Sequence, residues 1–328
     1  MNQPISPRRS KSKIVFLALF LALAALPSFG LWALFVSSPI QTTKTLIIPH
    51  GTSIREIAAL LHNDNVISSP LAFRIGTKII SHDQLKAGEY EFTPGQTTAD
   101  IVLMMHEGRS VVHMLTIAEG LTSAEIIKNL KDLPQFTGEV AIPPDGSLLP
   151  ETYQYTYGDS RSSIVARMQK SMQDLLATLW TQRDPSLPIK TPEEAVVMAS
   201  IIEKETGIGT ERARIAGVFY NRLRKNMRLQ SDPTVIYAIT QSKGPMTRDL
   251  IRDDLTFASP YNTYASDGLP PQPICNPGKA ALQAALHPEQ NDFIYFVADG
   301  TGGHAFARDL AEHNQNVIRW NQIKVKTP

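Results

Sequence analysis

One carboxylate in the middle of the chain combines an apolar setting with a place at the end of a predicted helix. Residues 191–207 begin with Thr191 as a candidate N-cap followed by Pro192, and they end at a glycine, which predicts a helix between them. Glu205 continues an apolar stripe at helical spacing, which consists of Ala195, Met198, Ile201 and Ile202. A carboxyl group on such a stripe is partly desolvated, which raises its pKa and keeps a proton available near neutral pH, as a general acid requires.

A structural interpretation of Glu205 stands beside the catalytic one. A glutamate in the last turn of an amphipathic helix is commonly a half-exposed residue at the edge of a core. Glu203, two residues earlier, is expected to point away from the stripe, towards the side of Ala199 and Ser200. Spacing alone therefore leaves both interpretations open.

The composition excludes several classes of protein. The 32 basic and 31 acidic residues give a formal net charge of +1, so no general basic surface indicates a nucleic-acid partner. The single cysteine, Cys275, rules out an intrachain disulfide. No HExxH motif or paired Cys/His spacing occurs, so the sequence predicts neither a metal site nor a cofactor.

The N-terminus predicts a membrane anchor. A cluster of Arg and Lys residues between positions 8 and 13 precedes an uncharged run at 14–36, which is long enough to span a bilayer. The basic flank predicts cytoplasmic residues 1–13, a single transmembrane helix at 14–36 in the inner membrane, and a periplasmic remainder. A cleaved signal peptide with its small-residue site at 21–25 is the alternative; the apolar run continues beyond that site, which favours the uncleaved anchor.

A strand–turn–helix pattern with a Ser/Thr cap and an acid three residues later occurs three times after the anchor. Each copy predicts a capped helix, with Glu completing the cap better than Asp. The turn glycine, cap and acid of the three copies are Gly51, Ser53 and Glu56; Gly95, Thr97 and Asp100; and Gly120, Thr122 and Glu125. Their unequal spacing argues against a solenoid. The first copy resembles the LysM module, which binds N-acetylated glycans; ordinary capped helices that only pack are the alternative.

The C-terminal half carries a series of motifs in a fixed order. They are EKET at 203–206, NRL at 221–223, MRLQSDPTVIY at 227–237, YNTY at 261–264, GLPP at 268–271, YFVADG at 295–300 and GGH at 302–304. With these motifs the chain closely resembles the YceG-like endolytic murein transglycosylases. The resemblance covers essentially everything after the anchor and is most specific across residues 196–314.

The resemblance implies a fold and an activity. It implies an α+β protein in which a small LysM-like β/α domain at 45–115 is followed by a mixed α/β catalytic domain at 116–325. The family cleaves peptidoglycan glycan strands beside the inner membrane without water, and leaves 1,6-anhydro-N-acetylmuramic acid ends. Its catalytic glutamate is the second one of EKET, which is Glu205 here. One departure occurs at 149–153, where relatives often have Asp after the proline and this chain has Glu151.

The number of carboxylates distinguishes this chemistry from hydrolysis. Ordinary glycosidases use two, an acid and a nucleophile or base, whereas the resemblance implies that Glu205 alone acts as acid and then as base. Asp232 is the natural second carboxylate of a hydrolase. Because it directly precedes Pro233, helix capping or local hydrogen bonding is favoured for it over a nucleophilic role.

Further polar and aromatic residues of the matched motifs fall in predicted loops. They suit recognition of amides and hydroxyls and stacking on sugars. The candidate substrate-binding residues are Gln230, Ser231, Asp232, Tyr261, Asn262, Tyr264 and His304. Structural alternatives are packing for the tyrosines, a turn held by Asn262, and a local hydrogen bond for His304.

The predicted partners are peptidoglycan glycan strands and the inner membrane, with cell-wall synthesis enzymes as further candidates. A membrane-tethered glycan-binding scaffold with an inert cleft is the alternative of a different class. A desolvated acid at Glu205 favours the enzyme, because a pure binder has no use for one.

Overall fold

The computed structural model describes residues 32–241, 244 and 246–326. The predicted cytoplasmic segment 1–13 and most of the predicted anchor at 14–36 lie outside these residues. Among the residues described, no helix is both long and apolar enough to cross a membrane. The mixed α/β class expected from the sequence is found, and the strands within these ranges form small two-stranded sheets.

The first half of the described chain alternates short strands with helices. Its elements are β1 (Lys44–Ile48), α1 (Ile54–Asn63), α2 (Pro70–Gly76) with a π-helical turn (Thr77–Ser81), β2 (Gly88–Phe92), α3 (Thr98–Glu107), β3 (Val112–Thr116), α4 (Ser123–Lys131) and β4 (Thr152–Thr156).

The second half is mainly helical. Its elements are α5 (Arg161–Thr181), α6 (Pro192–Glu205), a 3-10 turn (Gly209–Glu211), α7 (Arg212–Arg224), α8 (Asp232–Thr240), a second 3-10 turn (Arg252–Thr256), α9 (Lys279–Leu286), β5 (Tyr295–Ala298), β6 (His304–Ala307) and α10 (Leu310–Lys326).

The chain divides into two compact units. Of the described residues, unit 1 contains those up to His113 and Tyr155–Gly158, and unit 2 contains Met114–Gln154 and those from Asp159 onward. The domain limits expected from the sequence, 45–115 and 116–325, stay a prediction.

Unit 1 is built on the antiparallel pair β1 and β2, whose register runs from Lys44 opposite Phe92 to Ile48 opposite Gly88. Two helices, α1 and α2, follow β1 before the chain returns in β2, and α3 follows. Their inward side chains form one core, which includes Ile48, Leu61, Phe73, Phe92 and Met105. Burial of these apolar side chains stabilises a unit too small to rely on its sheet alone.

The three capped helices predicted from the sequence are confirmed as α1, α3 and α4. In α1 the backbone amide of Ser53 donates to Glu56 at 2.8 Å, and the amide of Glu56 donates to the Ser53 hydroxyl at 3.3 Å. The same reciprocal bonds join Thr97 with Asp100 and Thr122 with Glu125. The expectation that aspartate completes the box less well is wrong, because the Thr97 amide reaches Asp100 at the same 2.8 Å.

Unit 2 is organised around α6, which packs against α5, α7, α8 and α9. The predicted start is confirmed, since the Thr191 hydroxyl accepts from the amide of Glu194 and Pro192 lies in the first turn. The expectation of a single apolar stripe is wrong: every residue from position 195 to 202 is buried, so the helix is enclosed on all sides.

The end of α6 also differs from the expected glycine stop. The helix ends at Glu205, and Thr206 follows in an extended conformation with φ −146° and ψ 135°. Gly207 is therefore not in the left-handed C′ position that a glycine stop requires. An extended residue directly after Glu205 turns the chain away from the helix axis and leaves the last side chain of α6 beside the start of α8.

Candidate active site

A cleft of about 550 Å³ opens in unit 2 where α6 ends. Most of the candidate site residues line it, and they are joined by side chains that the sequence did not single out. The lining includes Glu205, Gln230, Asp232, Tyr264 and His304 from the candidate set, and Arg222, Tyr295, Phe296 and His313 in addition. This volume lies within the range of small-molecule sites, and polar and apolar side chains both contribute to the lining.

Glu205 is half-buried at the end of α6, and its carboxylate accepts a hydrogen bond from the Ser231 hydroxyl. Burial raises the pKa of Glu205 to about 7. The negative charge of Asp232 adds to this rise, whereas the Ser231 hydrogen bond and the positive charge of Arg222 oppose it. A pKa near 7 means that both protonation states are accessible at neutral pH, so one group can donate a proton and later take one back.

Ser231 is buried and held at the start of α8 by threonines. Its backbone amide donates to Thr263 Oγ1 at 3.0 Å, and its carbonyl accepts from Thr234 Oγ1 at 2.6 Å. Thr234 and Thr263 are themselves hydrogen-bonded at 2.8 Å. These bonds fix the Ser231 backbone, so its hydroxyl is presented to Glu205 in one orientation.

Asp232 does not cap α8, although the sequence favoured that role together with local hydrogen bonding. Ser231 occupies the N-cap position and Asp232 is the first helical residue, so Pro233 lies one place later than expected. The Asp232 side chain instead accepts a hydrogen bond from the Tyr264 hydroxyl at 2.6 Å. Local hydrogen bonding is thus the correct part of the expectation, and the partner is 32 residues away.

Tyr264 is half-buried in the cleft wall. Burial raises its pKa, and the hydrogen bond to Asp232 raises it further, so Tyr264 remains a neutral donor. The neutral Tyr264 satisfies a hydrogen-bond acceptor of Asp232 but carries no positive charge, so Asp232 keeps its negative charge. Asp232 therefore still acts on the pKa of Glu205.

Arg222 is a site residue that the sequence reasoning missed. It is buried, with Nε donating to the Ile294 carbonyl at 2.7 Å and Nη1 donating to the Leu229 carbonyl at 2.8 Å. Nη1 also donates to Gln230 Oε1 at 3.2 Å. The guanidinium therefore links Ile294, which precedes β5, to the loop that carries Gln230. A signal was present: Arg222 lies three and four residues after Phe219 and Val218, on the apolar stripe of α7. An arginine on a buried stripe indicates a satisfied internal charge.

Gln230 itself is exposed at the cleft with its backbone in the left-handed region, at φ +51°. The backbone N–H of Gln230 donates to the Thr263 carbonyl at 3.2 Å. Thr263 holds the strained backbone of Gln230 and Arg222 holds its side-chain oxygen, which together position the side chain at the cleft.

His304 is fixed by Glu211, a second residue that the sequence reasoning did not identify. Its Nδ1 lies 2.8 Å from Glu211 Oε2, and its backbone amide donates to Glu211 Oε1 at 3.0 Å. The ring meets Phe296 edge to face, with centroids 5.3 Å apart. A carboxylate bonded at Nδ1 and an aromatic wall together hold the imidazole in one orientation at the cleft.

Tyr261 and Asn262 do not line the cleft. Asn262 is fully buried, with Nδ2 donating to the carbonyls of Leu255 and Phe257 at 3.0 and 2.8 Å and Oδ1 accepting from the Tyr264 amide at 2.9 Å. The Tyr261 ring packs on Tyr237, with centroids 4.9 Å apart. The geometry favours the structural alternative for both, since they shape the loop that presents Tyr264.

Glu203 has partners of a different kind from those of Glu205. Its Oε1 lies 3.2 Å from Arg212, and its Oε2 accepts from the backbone amide of Gly278, at the start of α9, at 2.8 Å. Its side chain is only 5 % exposed. Glu203 therefore joins α6, α7 and α9 and lies outside the cleft lining, in keeping with the side expected for it. Within the described ranges, no group of three or more His, Cys, Asp or Glu residues could hold a metal ion.

Comparisons with known proteins identify what this chain is similar to. The model of the YceG-like family matches residues 46–319. An endolytic murein transglycosylase of Bacillus subtilis (strain 168) is 31% identical over an alignment of 308 residues, and the match covers 84% of this chain and 84% of that protein. One from Streptococcus pneumoniae serotype 2 (strain D39) is 28% identical over 321 residues, with 83% of this chain and 57% of that protein covered.

A solved structure is similar as well. The crystal structure of a YceG-like protein from Listeria monocytogenes has a TM-score of 0.51 and 34% sequence identity, and the match covers 84% of this chain and 99% of that one. The family model spans most of this chain, and the Bacillus relative matches most of its length. The chain belongs to the YceG-like family.

Proposed function

We propose that this protein is a lytic transglycosylase that cleaves peptidoglycan glycan strands between N-acetylmuramic acid and N-acetylglucosamine, with Glu205 as its one general acid and base. The observation that carries the proposal is the place of Glu205: its carboxyl group lines the cleft and accepts a hydrogen bond from the Ser231 hydroxyl, and burial there raises its pKa to about 7. The names of the Bacillus and Streptococcus relatives support the same activity.

The reaction needs only one titrating carboxyl group. Protonated Glu205 gives its proton to the glycosidic oxygen as the bond from that oxygen to C1 of N-acetylmuramic acid breaks. The carboxylate then takes the proton from the 6-hydroxyl of the same sugar, whose oxygen bonds to C1. Glu205 is protonated again, no water is consumed, and the product carries a 1,6-anhydro end.

The neighbours of Glu205 support this assignment rather than a two-carboxylate hydrolysis. Asp232, the other cleft carboxylate, accepts a 2.6 Å hydrogen bond from Tyr264, which makes its oxygen a weaker nucleophile. Its charge also raises the pKa of Glu205, which is the effect a general acid needs. The fixed imidazole of His304 and the amide of Gln230 offer hydrogen-bonding groups for the hydroxyl and acetamido groups of the sugars.

Product analysis tests the proposal. Wild type and Glu205→Gln are incubated with purified sacculi, and the released fragments are identified by mass spectrometry. We expect anhydro-ended fragments, lighter by one water than reducing ends, from wild type, and a loss of rate of at least roughly 10²–10⁴-fold in Glu205→Gln. Reducing ends from the wild type, or near-normal turnover by Glu205→Gln, would contradict the assignment.

A glycan-binding scaffold without activity is the second candidate. The binding groups of the cleft would serve it equally, but a carboxyl group with a pKa near 7 gives a binder no advantage. Wild type that binds sacculi and releases no fragment at any pH would favour the scaffold.

The proposal includes an anchor and a role for unit 1. We assign residues 14–36 to a single span of the inner membrane with the catalytic unit in the periplasm, supported by the basic flank before the apolar run. Protease added to spheroplasts is expected to degrade most of the chain, and full protection would contradict this topology. The LysM-like unit is assigned to glycan contact; deleting residues 45–110 should weaken sacculus binding more than it changes the bond that is cut.

A further inference from the structure

The outward side of α2 and of the π-helical turn after it exposes apolar side chains beside basic ones. Leu71 and Ile79, eight positions apart, are 63 % and 55 % exposed. Arg74 and Lys78 are exposed between them, and Ile75 is half-buried. Helical spacing places these five side chains on one side, and we call them the α2 face.

The opposite side of the same segment is fully committed to the core of unit 1. Ala72, Phe73, Gly76 and Thr77 are all buried. A rotation of α2 that buried the α2 face would remove these residues from the core, so the α2 face stays exposed in the folded unit. Exposed apolar side chains beside basic ones are suited to a membrane surface, where the apolar groups enter the boundary and the basic groups meet the headgroups.

The end of the apolar run at 14–36 is held against this helix. Leu34 is 2 % exposed, and a Cβ added to Gly76 would lie only 2.7 Å from its Cδ2 atom, so the absence of a side chain at Gly76 makes room for Leu34. The chain is held again at Ser38, whose amide donates to the Gln96 carbonyl at 2.6 Å and whose hydroxyl donates to the Val66 carbonyl at 2.6 Å. The apolar run thus ends on unit 1 without a free linker.

Two large side chains flank Leu34 on the exposed side. Trp32 is 62 % exposed and Phe35 is 70 % exposed. Aromatic side chains at the end of an apolar run are typical of the boundary between hydrocarbon and headgroups. Their position brings this boundary to the segment that packs on α2.

We propose that the α2 face, together with Trp32 and Phe35, rests on the surface of a bilayer that contains anionic lipids. Leu71, Ile75 and Ile79 would enter the boundary between headgroups and acyl chains. Arg74 and Lys78 would extend to the headgroup phosphates, while their aliphatic stems stay among the apolar groups. Unit 1 would then be fixed at the membrane by a surface as well as by its connection to the apolar run.

Size and charge favour lipid over a protein partner. Five side chains on about two helical turns present much less area than the roughly 1,200 Å² at which stable protein interfaces begin. A bilayer needs no such complementary area, because each apolar side chain inserts independently. Arg74 and Lys78 match the charge of anionic headgroups, and no acidic side chain lies among the five residues of the α2 face.

The single buried cysteine allows a direct test in the full-length chain. Cys275 is fully buried, so Leu71→Cys and Ile79→Cys can be labelled selectively with a nitroxide. Ile47→Cys is the matched control, an isoleucine 42 % exposed on β1 of the same unit. The labelled proteins are reconstituted into vesicles of phosphatidylethanolamine and phosphatidylglycerol, and collision with oxygen is compared with collision with a water-soluble nickel chelate.

We expect the nitroxides at 71 and 79 to collide preferentially with oxygen, as in lipid, and the nitroxide at 47 to collide preferentially with the chelate. Equal preference for the chelate at all three positions would overturn the proposal. Protection from both reagents at 71 and 79, with spin–spin broadening between copies, would overturn it in favour of a second chain.

Charge is tested by Arg74→Gln combined with Lys78→Gln. We expect the preference of the nitroxides at 71 and 79 for oxygen to fall in this variant. The same preference should fall in the labelled proteins that keep Arg74 and Lys78 when the vesicles contain phosphatidylcholine alone. Identical preferences in all of these conditions would contradict the contact of Arg74 and Lys78 with anionic headgroups.

Discussion

Ser231 donates its hydroxyl hydrogen bond to Glu205, although it occupies the N-cap position of α8. A serine at this position usually accepts from an amide of its own helix, which is worth about 1 kcal/mol. No such bond is made by the Ser231 side chain. The start of α8 is therefore less stable than it could be, and the hydroxyl is available to orient the carboxyl group of the cleft.

The variant Ser231→Ala tests this use of the hydroxyl. Since the Ser231 hydrogen bond lowers the pKa of Glu205, its removal should raise that pKa further and move the alkaline limb of the pH–rate profile to higher pH. The rate at the optimum should fall, because the carboxyl group is no longer oriented. The profile of anhydro-fragment release measures both effects, and an unchanged profile would contradict the role given to Ser231.

Glu205 is expected to reduce stability at neutral and alkaline pH. Its folded-state pKa of about 7 lies above the ordinary value of 4.5, so its stabilising contribution is present below pH 4.5 and is lost as pH rises through 7. At pH 8 the variant Glu205→Gln should therefore be more stable than wild type, by about 1–3 kcal/mol, and the difference should vanish near pH 4. Urea unfolding at both pH values measures it.

Glu203→Gln provides the contrast for that experiment. It weakens the ion pair with Arg212 and the acceptor for the Gly278 amide, so it should destabilise the protein by about 1–3 kcal/mol. Its activity below the unfolding transition should stay close to that of wild type. A stabilised Glu203→Gln at pH 8 would show that the gain in Glu205→Gln is not specific to the cleft.

Asp232→Asn should shift the pH–rate profile in the direction opposite to Ser231→Ala. The charge of Asp232 raises the pKa of Glu205, so its removal lowers that pKa and moves the alkaline limb to lower pH. Tyr264→Phe keeps the charge and removes only the 2.6 Å hydrogen bond, so it should leave the limb close to its wild-type position. Reducing ends among the products, or an Asp232→Asn loss as large as that of Glu205→Gln, would instead indicate a nucleophile.

Tyr261 and Asn262 should affect folding rather than substrate recognition. Asn262→Ala removes the acceptor of the Tyr264 amide and the donor to two loop carbonyls, and should destabilise the protein by roughly 1–3 kcal/mol. Tyr261→Phe loses only a 3.4 Å contact to Gln272 and should be nearly neutral. Thermal unfolding and the KM for glycan strands separate the two effects, and a large rise in KM for Tyr261→Phe would restore its assignment to the substrate site.

Local chemistry explains which parts of the fold were predictable from the sequence. A capping box such as that of Ser53 and Glu56 is made within four residues, so the sequence states it directly. The start of the helix that carries Glu205 is equally local, since Thr191 caps it and Pro192 lies in its first turn. In contrast, Glu211 meets His304 across 93 positions and Ser231 meets Glu205 across 26, and no local pattern encodes these pairs.

The errors in the prediction share a physical origin. The stop of α6 at Thr206 and the use of Ser231 as a donor both depend on tertiary packing, which overrides the ordinary preferences of Gly207 for a helix end and of Asp232 for a cap. Arg222 was overlooked because an arginine on a helix is usually exposed, and its carbonyl acceptors come from distant loops.

The reactivity of the buried Cys275 thiol reports local unfolding of the core around α6. Its Sγ lies 3.4 Å from the carbonyl of Ser200 on α6, and the amide of neighbouring Ile274 donates to the Ser200 hydroxyl at 3.0 Å. Burial raises the pKa of Cys275, so the thiol is protonated and unreactive while it is enclosed. Trapping by a thiol reagent must then wait until this segment separates from α6. The rate at which the reagent modifies Cys275 in the unsubstituted protein therefore measures how often the Ile274–Cys275 segment separates from α6, the helix that carries Glu205.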